Sequence, residues 1–142
     1  MNGGDQAAVC ALIARYRRLS DHAGAPEIAA QFRPEGVLEF DGIHEGRAAV
    51  EAAYGRWIER KRAPVEGLRR LAYPPAVAFE MEGGGVRGMG TATATAETYF
   101  DADGRLRTSG RMIRLRGLYR DRLERRDGVW RFLRKRIEAP PG

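Results

Sequence analysis

Residues 111–137 read RMIRLRGLYRDRLERRDGVWRFLRKRI. Two long strands are predicted here, over Arg111–Glu124 and Val129–Ile137, joined by a hairpin at Arg126-Asp127-Gly128, because Asp-Gly favours a tight turn. Successive strand side chains alternate between two faces. One face of the first strand carries Leu115, Gly117, Tyr119, Asp121 and Leu123, and the other carries Arg114, Arg116, Leu118, Arg120, Arg122 and Glu124. The more apolar first set is therefore predicted to face inward.

The segments before this hairpin are also extended. Runs over Leu68–Tyr73, Ala76–Met81 and Thr91–Phe100 predict strands, and the last alternates Thr with Ala. Pro74-Pro75 predicts a bulge or a sheet edge, because proline cannot sit in a central ladder. Asp101–Gly104 has the composition of a turn. The glycine-rich region Gly83–Gly90 lacks the Lys-Ser/Thr of a phosphate loop, which argues against nucleotide binding, and we expect a mobile flap near a cavity there.

The first half of the chain has helical patterning. A helix beginning at Gln6 is predicted from one apolar stripe: Val9, Leu12, Ile13, Tyr16 and Leu19. A second short helix is predicted over Glu27–Phe32, and a strand over Val37–Asp41. A third helix opens at Gly46-Arg47, with one face formed by Val50, Tyr54, Trp57 and Ile58. Helices followed by an antiparallel meander indicate an α+β protein.

Composition narrows the function classes. The 142 residues carry a net charge of +6, and 23 of the 25 basic residues are Arg. One cysteine excludes an internal disulfide framework, and His22 and His44 lack metal-ligand spacing, so neither a metal nor another cofactor is expected. Without a signal peptide or an apolar run of about 18 residues, we expect a cytoplasmic protein with no membrane partner.

Several segments resemble one known family. They read ARYRRLSD at 14–21, IAAQFRPEGVLEF at 28–40, EGRAAV at 45–50, GLYRDRLE at 117–124 and DGVWRF at 127–132. Together they resemble the SnoaL-like family of the nuclear transport factor 2-like superfamily, over a core of residues 6–137 in a single domain, 1–142. The resemblance implies a cone-like α+β barrel, with three N-terminal helices packed on a curved, mainly antiparallel sheet that encloses a pocket. It also implies a homodimer through the outer sheet face.

The resemblance also implies site residues. Tyr16 matches a cavity-facing tyrosine, Asp21 matches the acid of the Asp–His pair of dehydratase relatives, and Arg70 falls closest to the position of that histidine. Arginine stays charged and cannot act as a general base, so an Asp21–Arg70 pair would orient a substrate or neutralise charge. The alternatives are a core role for Tyr16, a turn or helix cap for Asp21 and a solvated Arg70.

Further positions come from the same resemblance and from strand parity. Phe40 takes the position of the catalytic carboxylate of ketosteroid isomerase, and Gly117 and Tyr119 take polar positions of scytalone dehydratase. Tyr119 is predicted to donate a hydrogen bond in the pocket. Asp121, deeper on the same face, is either an acid or base with a pKa raised by desolvation or part of a structural salt bridge. Leu115 and Trp57 are predicted to line the pocket as well. Asp41 should point away from Phe40, and His44 is predicted to be a loop residue.

Three functions remain open at this stage. The first is a cofactor-independent lyase, isomerase or cyclase that acts on a small apolar organic ligand through acid-base chemistry and oxyanion stabilisation, with Tyr16, Asp21, Arg70, Tyr119 and Asp121 as its catalytic residues. The second is a non-catalytic small-molecule-binding or assembly domain. The third is nucleic-acid binding by an arginine stripe on one sheet face, formed by Arg114, Arg116, Arg120 and Arg122. It is disfavoured because acids are interspersed and stacking aromatics are missing from the stripe.

Overall fold

The computed structural model describes residues 3–80 and 92–139. The helices are α1 (Gly3–His22), α2 (Ala25–Ala29) and α3 (Arg47–Trp57), and α3 continues into a π-helical turn, Ile58–Arg62. The strands are β1 (Phe32–Glu39), β2 (Ile43–Glu45), β3 (Val65–Ala72), β4 (Ala76–Glu80), β5 (Ala92–Leu106), β6 (Met112–Arg126) and β7 (Val129–Glu138). The predicted Gly83–Gly90 flap lies outside the described residues.

The strands form one sheet. Within the described ranges its order is β2-β1-β7-β6-β5-β3, and β4 also pairs with β5. Neighbouring strands are antiparallel except β1 and β7, which run parallel. The predicted α+β class is confirmed: three helices pack on a mixed, mostly antiparallel open sheet.

The core lies between α1 and the inner face of the sheet. The predicted stripe of α1 is confirmed, because Val9, Leu12, Ile13 and Tyr16 are each at most 5% exposed. Alternation along β6 is confirmed apart from Leu118: Gly117, Tyr119 and Asp121 are buried and Arg116 and Arg120 are exposed, but Leu118, predicted to face outward, is buried too. The apolar pattern therefore predicted which face of α1 and which face of β6 are turned toward the core.

The predicted turn at Asp101–Gly104 is wrong, because these residues lie inside β5 and the chain turns at 107–110. Gly104 serves close packing: a Cβ on it would lie 2.4 Å from Val65 Cγ1 of the neighbouring β3. Asp101 and Asp103 pair across the sheet with Arg116 and Arg69 at 3.1 and 3.6 Å. Acidic and glycine residues here support strand pairing instead of a turn.

The segment around Pro34 also differs from the sequence prediction. The second helix ends at Ala29, before the predicted Phe32, and β1 begins at Phe32 instead of Val37. Pairing of β1 with β7 shifts register between Phe32 and Val37, so the residues that break the helix form an irregular strand. Pro74-Pro75 lies between β3 and β4, both of which pair with β5, and this confirms the predicted interruption.

Three arginines of β6 lie on the outer face of the sheet, opposite carboxylates. Arg116 pairs with Asp101 at 3.1 Å, Arg120 with Glu97 at 3.2 Å, and Arg122 with Glu80 at 3.3 Å. These pairs neutralise much of the stripe's charge. The dimer on this face stays a prediction. None of the described helices has the length and apolar character needed to cross a membrane.

Candidate functional site

A cavity of about 610 Å³ opens between α3, the π-helical turn and the ends of β3, β5 and β6. Much of its wall is apolar, from Phe40, Ala53, Trp57, Val65, Leu68, Ala102, Ile113 and Leu115. Its ionisable side chains are Asp41, His44, Arg56, Arg60, Lys61, Arg62, Arg70 and Asp103. Cavities of this size hold small organic ligands.

Arg70 occupies the inner wall of this cavity. Alternation along β3 turns Leu68, Arg70 and Ala72 inward and Arg69 and Leu71 outward. The Arg70 side chain is only 10% exposed. Its guanidinium carbon lies 5.2 Å from the centre of the Trp57 ring, which also lines the cavity. The predicted Arg70, Phe40, Trp57 and Leu115 are therefore brought together around one cavity.

The Arg70 guanidinium is held by groups behind the cavity. Its Nε lies 3.1 Å from Asp21 Oδ1, and its Nη1 donates to Tyr119 Oη at 2.7 Å and to Ser20 Oγ at 3.3 Å. Burial raises the pKa of Asp21, although Arg70 opposes part of that rise. The structure therefore contains the Asp21–Arg70 pair considered from the sequence, and neither Asp21 nor Tyr119 is among the residues that line the cavity.

Behind Arg70 lies a sealed cluster of tyrosines. Tyr16 is 1% exposed and Tyr119 is 2% exposed, and their ring centres are 5.7 Å apart. The hydroxyl oxygens of Tyr16 and Tyr54 are 2.6 Å apart. Burial raises the pKa of Tyr16 and that of Tyr119, and Arg70 opposes the rise at Tyr119. All these hydroxyls therefore keep their protons at neutral pH. Tyr119 Oη accepts from Arg70, in place of the donation predicted for it, and one of the Tyr16 and Tyr54 hydroxyls donates to the other.

Phe100 packs against both Tyr119 and Arg70. Its ring stacks on Tyr119, with centres 4.3 Å apart, and lies 5.8 Å from the Arg70 guanidinium carbon. Gly117 makes room for it, because a Cβ at Gly117 would lie 2.3 Å from Phe100 Cζ. Gly117, predicted as pocket lining, is not on the cavity wall; the physical reason is that the phenyl ring covers it.

Asp121 lies deepest and has a buried partner. Its Oδ1 is 2.8 Å from Lys135 Nζ, and both side chains are 0% exposed. The ammonium lies 4.1 Å from the ring centre of Tyr16 and 4.4 Å from that of Tyr119. Burial raises the pKa of Asp121 and lowers that of Lys135, and the attraction within the pair opposes both shifts. Asp121 thus forms the structural salt bridge that the sequence left as an alternative, away from the cavity.

Sequence reasoning missed three important residues. Lys135 faces inward because of a bulge in β7, which strand alternation does not predict. In the pairing of β6 with β7, Arg122 faces Arg134 and Leu123 faces Phe132, so Leu133 is an extra residue that turns Lys135 inward. Asp41 and His44 line the cavity. Strand β1 ends at Glu39, and Asp41 has a φ of +54°, so strand alternation does not extend to Asp41. The sequence did hold one signal that singles out Lys135: it is one of only two lysines among 25 basic residues.

Metal binding finds no support in this arrangement. Among residues 3–80 and 92–139, no three His, Cys, Asp or Glu side chains come together as a metal site would require. What the cavity offers instead is a fixed guanidinium, an imidazole, two carboxylates and apolar surface.

Comparison with known proteins gives one family match. The model of the SnoaL-like domain matches residues 4–136. No curated protein matches the sequence.

Several solved structures are similar to the whole chain. Aln2 from a Streptomyces species has a TM-score of 0.76 at 19% identity, covering 97% of this chain and 92% of that one. An NTF2-like protein with a cystatin-like fold from Novosphingobium aromaticivorans has 0.74 at 24%, covering 98% and 84%. A type 2 hexachlorocyclohexane dehydrochlorinase has 0.72 at 16%, covering 97% and 86%. At these identities the likeness shows the fold, and enzymes occur among the proteins that share it.

Proposed function

The chain belongs to the SnoaL-like domain family, and on that basis we propose that it is a cofactor-independent enzyme of the lyase, isomerase or cyclase type acting on a small, largely apolar molecule. The observation that carries the proposal is Arg70, a guanidinium fixed by Asp21 and Tyr119 on the wall of a cavity of about 610 Å³. A fixed donor of this kind stabilises negative charge that develops on a substrate oxygen.

The hydrogen-bond donors of Arg70 divide between the protein and the cavity. Nε faces Asp21, and Nη1 is used by Ser20 and Tyr119. Within the described part of the chain no residue accepts from Nη2, so its donors are available to a ligand. Asp21 and Tyr119 then act through Arg70 as positioning residues. An enolate or alkoxide oxygen beside Nη2 would receive a charge-assisted hydrogen bond.

Proton transfer in this proposal belongs to other side chains of the cavity wall. His44 lies there on β2, with its Nε2 3.2 Å from the backbone oxygen of Phe40. Histidine is the side chain that exchanges protons near neutral pH. Asp41 is a second cavity-facing group able to accept a proton. We assign proton abstraction to these residues, because the predicted Asp121 is enclosed with Lys135.

A non-catalytic ligand-binding domain is the second candidate. It is favoured by Phe40, which places an apolar ring on the cavity wall where the resemblance predicts an acid or base. The burial of Asp121 favours it too. Both candidates need a ligand in the same cavity. They differ in whether the protein removes a proton from the bound ligand.

The two candidates are separated with 2-tetralone, a bicyclic ketone with exchangeable α-hydrogens that fits the cavity. Exchange in D2O is followed by NMR, and binding by calorimetry. We expect wild-type protein to accelerate exchange and Arg70→Met to lower the acceleration by about a hundredfold. Arg69→Met, the outward-facing neighbour with a side chain 83% exposed, is the matched control and should keep wild-type rates.

Three outcomes distinguish the candidates. Acceleration that is lost in Arg70→Met and kept in Arg69→Met supports the enzyme. Binding without acceleration in the wild type favours the non-catalytic domain. Equal acceleration by wild type and Arg70→Met would falsify the role given to this guanidinium.

A further inference from the structure

A run of basic side chains forms one side of the cavity mouth. Arg56 comes from the end of α3, and Arg60, Lys61 and Arg62 come from the π-helical turn. Arg56, Arg60 and Lys61 are exposed to solvent, and Arg62 is half-buried. Four positive charges thus reach one cavity from seven consecutive residues. We call Arg56, Arg60, Lys61 and Arg62 the basic rim.

The basic rim is not neutralised by the protein. Within residues 3–80 and 92–139, none of its four side chains forms an ion pair with a carboxylate, in contrast to Arg70, which has Asp21 at 3.1 Å. Two carboxylates line the cavity, and one of them, Asp103, lies 3.6 Å from the outward-facing Arg69. Among the described residues of the cavity wall, Asp41 is the one carboxylate left to balance the rim, so the charges described at the mouth are positive on balance.

The surroundings of Arg62 also favour a bound anion. Its Nη1 donates to the backbone oxygen of Ser20 at 3.1 Å, which holds the guanidinium in place. Burial lowers the pKa of Arg62; the charge of Asp21 opposes this and that of Arg70 adds to it. A half-buried cation beside a second cation is a place where a bound anion is favourable.

The local backbone brings these residues to the cavity. The α-helical pattern of α3 changes at Ile58 into a π-helical turn that ends at Arg62. Three successive residues of that turn, Arg60, Lys61 and Arg62, all line the cavity. Rare turns of this type are frequent at functional sites.

We propose that the ligand of this cavity is an organic acid, with an apolar ring body against Trp57 and Leu115 and an anionic group held by the basic rim. Guanidinium groups match carboxylates through paired donors, so a carboxylate is the anion that fits best. The inference rests on the proposed function, since it names the chemical class of the molecule that occupies that cavity.

The structure implies a two-point arrangement of the ligand. Arg70 lies on the inner wall with Arg62 near it, since both guanidinium groups donate to Ser20, whereas Arg56, Arg60 and Lys61 are exposed at the mouth. An acid anchored at the mouth would therefore present the opposite end of its ring body to Arg70. The rim sets binding and orientation, while Arg70 meets the oxygen that changes charge.

The test compares 2-naphthoate with 2-naphthamide, which share a ring body and differ in charge. Calorimetry measures the Kd of each at low salt. We expect the wild type to bind 2-naphthoate about tenfold more tightly than the amide, as two exposed charge contacts would give. The variant Arg56→Gln/Arg60→Gln should lose this preference and keep the Kd for the amide.

The matched control is Arg15→Gln/Arg18→Gln, which removes the same two charges from exposed positions of α1. It should keep the preference for 2-naphthoate, which excludes a general effect of net charge. Equal Kd values for acid and amide in the wild type would overturn the organic-acid inference while leaving the cavity as a binding site. Failure of both probes to bind would overturn the proposed function and this inference together.

Discussion

Two of the interior regions that hold charged groups are built in opposite ways. In the sealed region, Asp121 and Lys135 are 0% exposed and surrounded by aromatic rings. In the open region, Arg70 faces a cavity of about 610 Å³ beside a basic rim without ion pairs among the described residues. The sealed charges are paired with each other, whereas the open ones have donors left for a ligand. Polar groups near a predicted pocket therefore need not belong to it.

The largest expected effect concerns the sealed pair. Lys135→Met leaves Asp121 buried without a partner, and we expect the free energy of unfolding to fall by about 3–5 kcal/mol. Denaturant unfolding measures it. The double variant Asp121→Leu/Lys135→Met should recover most of the loss, because no uncompensated charge remains.

An exposed pair of similar length provides the control. Arg116 lies 3.1 Å from Asp101, but its side chain is 81% exposed. Arg116→Met should leave the unfolding midpoint unchanged within error. A loss as large as that of Lys135→Met would contradict the view that burial, and not the contact itself, makes the sealed pair important.

A smaller effect is expected where Phe100 packs against Gly117. A methyl group added by Gly117→Ala would lie 2.3 Å from Phe100 Cζ and 2.9 Å from the backbone oxygen of Glu138. We expect a loss of about 1–3 kcal/mol from overpacking. Phe100→Leu removes the ring, so Gly117→Ala should cost less in that background. A double-mutant cycle by denaturant unfolding measures the coupling, and purely additive losses would argue against the close contact.

The smallest effect concerns Asp21, which supports Arg70 from behind. Burial raises its pKa, with Arg70 opposing, so the folded chain holds this proton more tightly than the unfolded chain. The stability from this group is therefore full at acid pH and is lost as the pH rises through the raised pKa. Between about pH 4 and pH 7, the free energy of unfolding should fall less in Asp21→Asn than in the wild type.

The control for the pH measurement is Asp103→Asn, which removes a carboxylate paired with an exposed arginine. It should follow the wild-type dependence. If Asp21→Asn also follows the wild type, the burial of Asp21 does not govern its titration.

Much of the fold was predictable because its signals are local. The stripe Val9, Leu12, Ile13 and Tyr16 and the alternation of Gly117, Tyr119 and Asp121 depend only on helical and strand periods. The error at Asp101–Gly104 arises because glycine serves two purposes: it permits a turn, and it permits close approach. Only the neighbouring Val65, far away in sequence, decides that Gly104 serves the second.

The candidate site was predictable in part. The resemblance identified Arg70, and alternation in β3 points it inward. Asp41 and His44 were missed because the strand ends before them, so parity no longer applies. Tyr119 does not line the cavity, and its hydroxyl and ring contact Arg70 and Phe100 from two other strands. No pattern within one segment reports such contacts.

The bulge at Leu133 has a consequence for how this sequence can change over generations. Deletion of Leu133 would leave one residue between Phe132 and Lys135, so regular alternation would turn both side chains inward and Lys135 would still face Asp121. The extra residue is therefore dispensable for the pair, whereas a register shift that lost the bulge at unchanged length would turn Lys135 to solvent. This strand should accept the loss of its extra residue more readily than the loss of either member of the pair, which separates two kinds of mutation that sequence comparison often treats together.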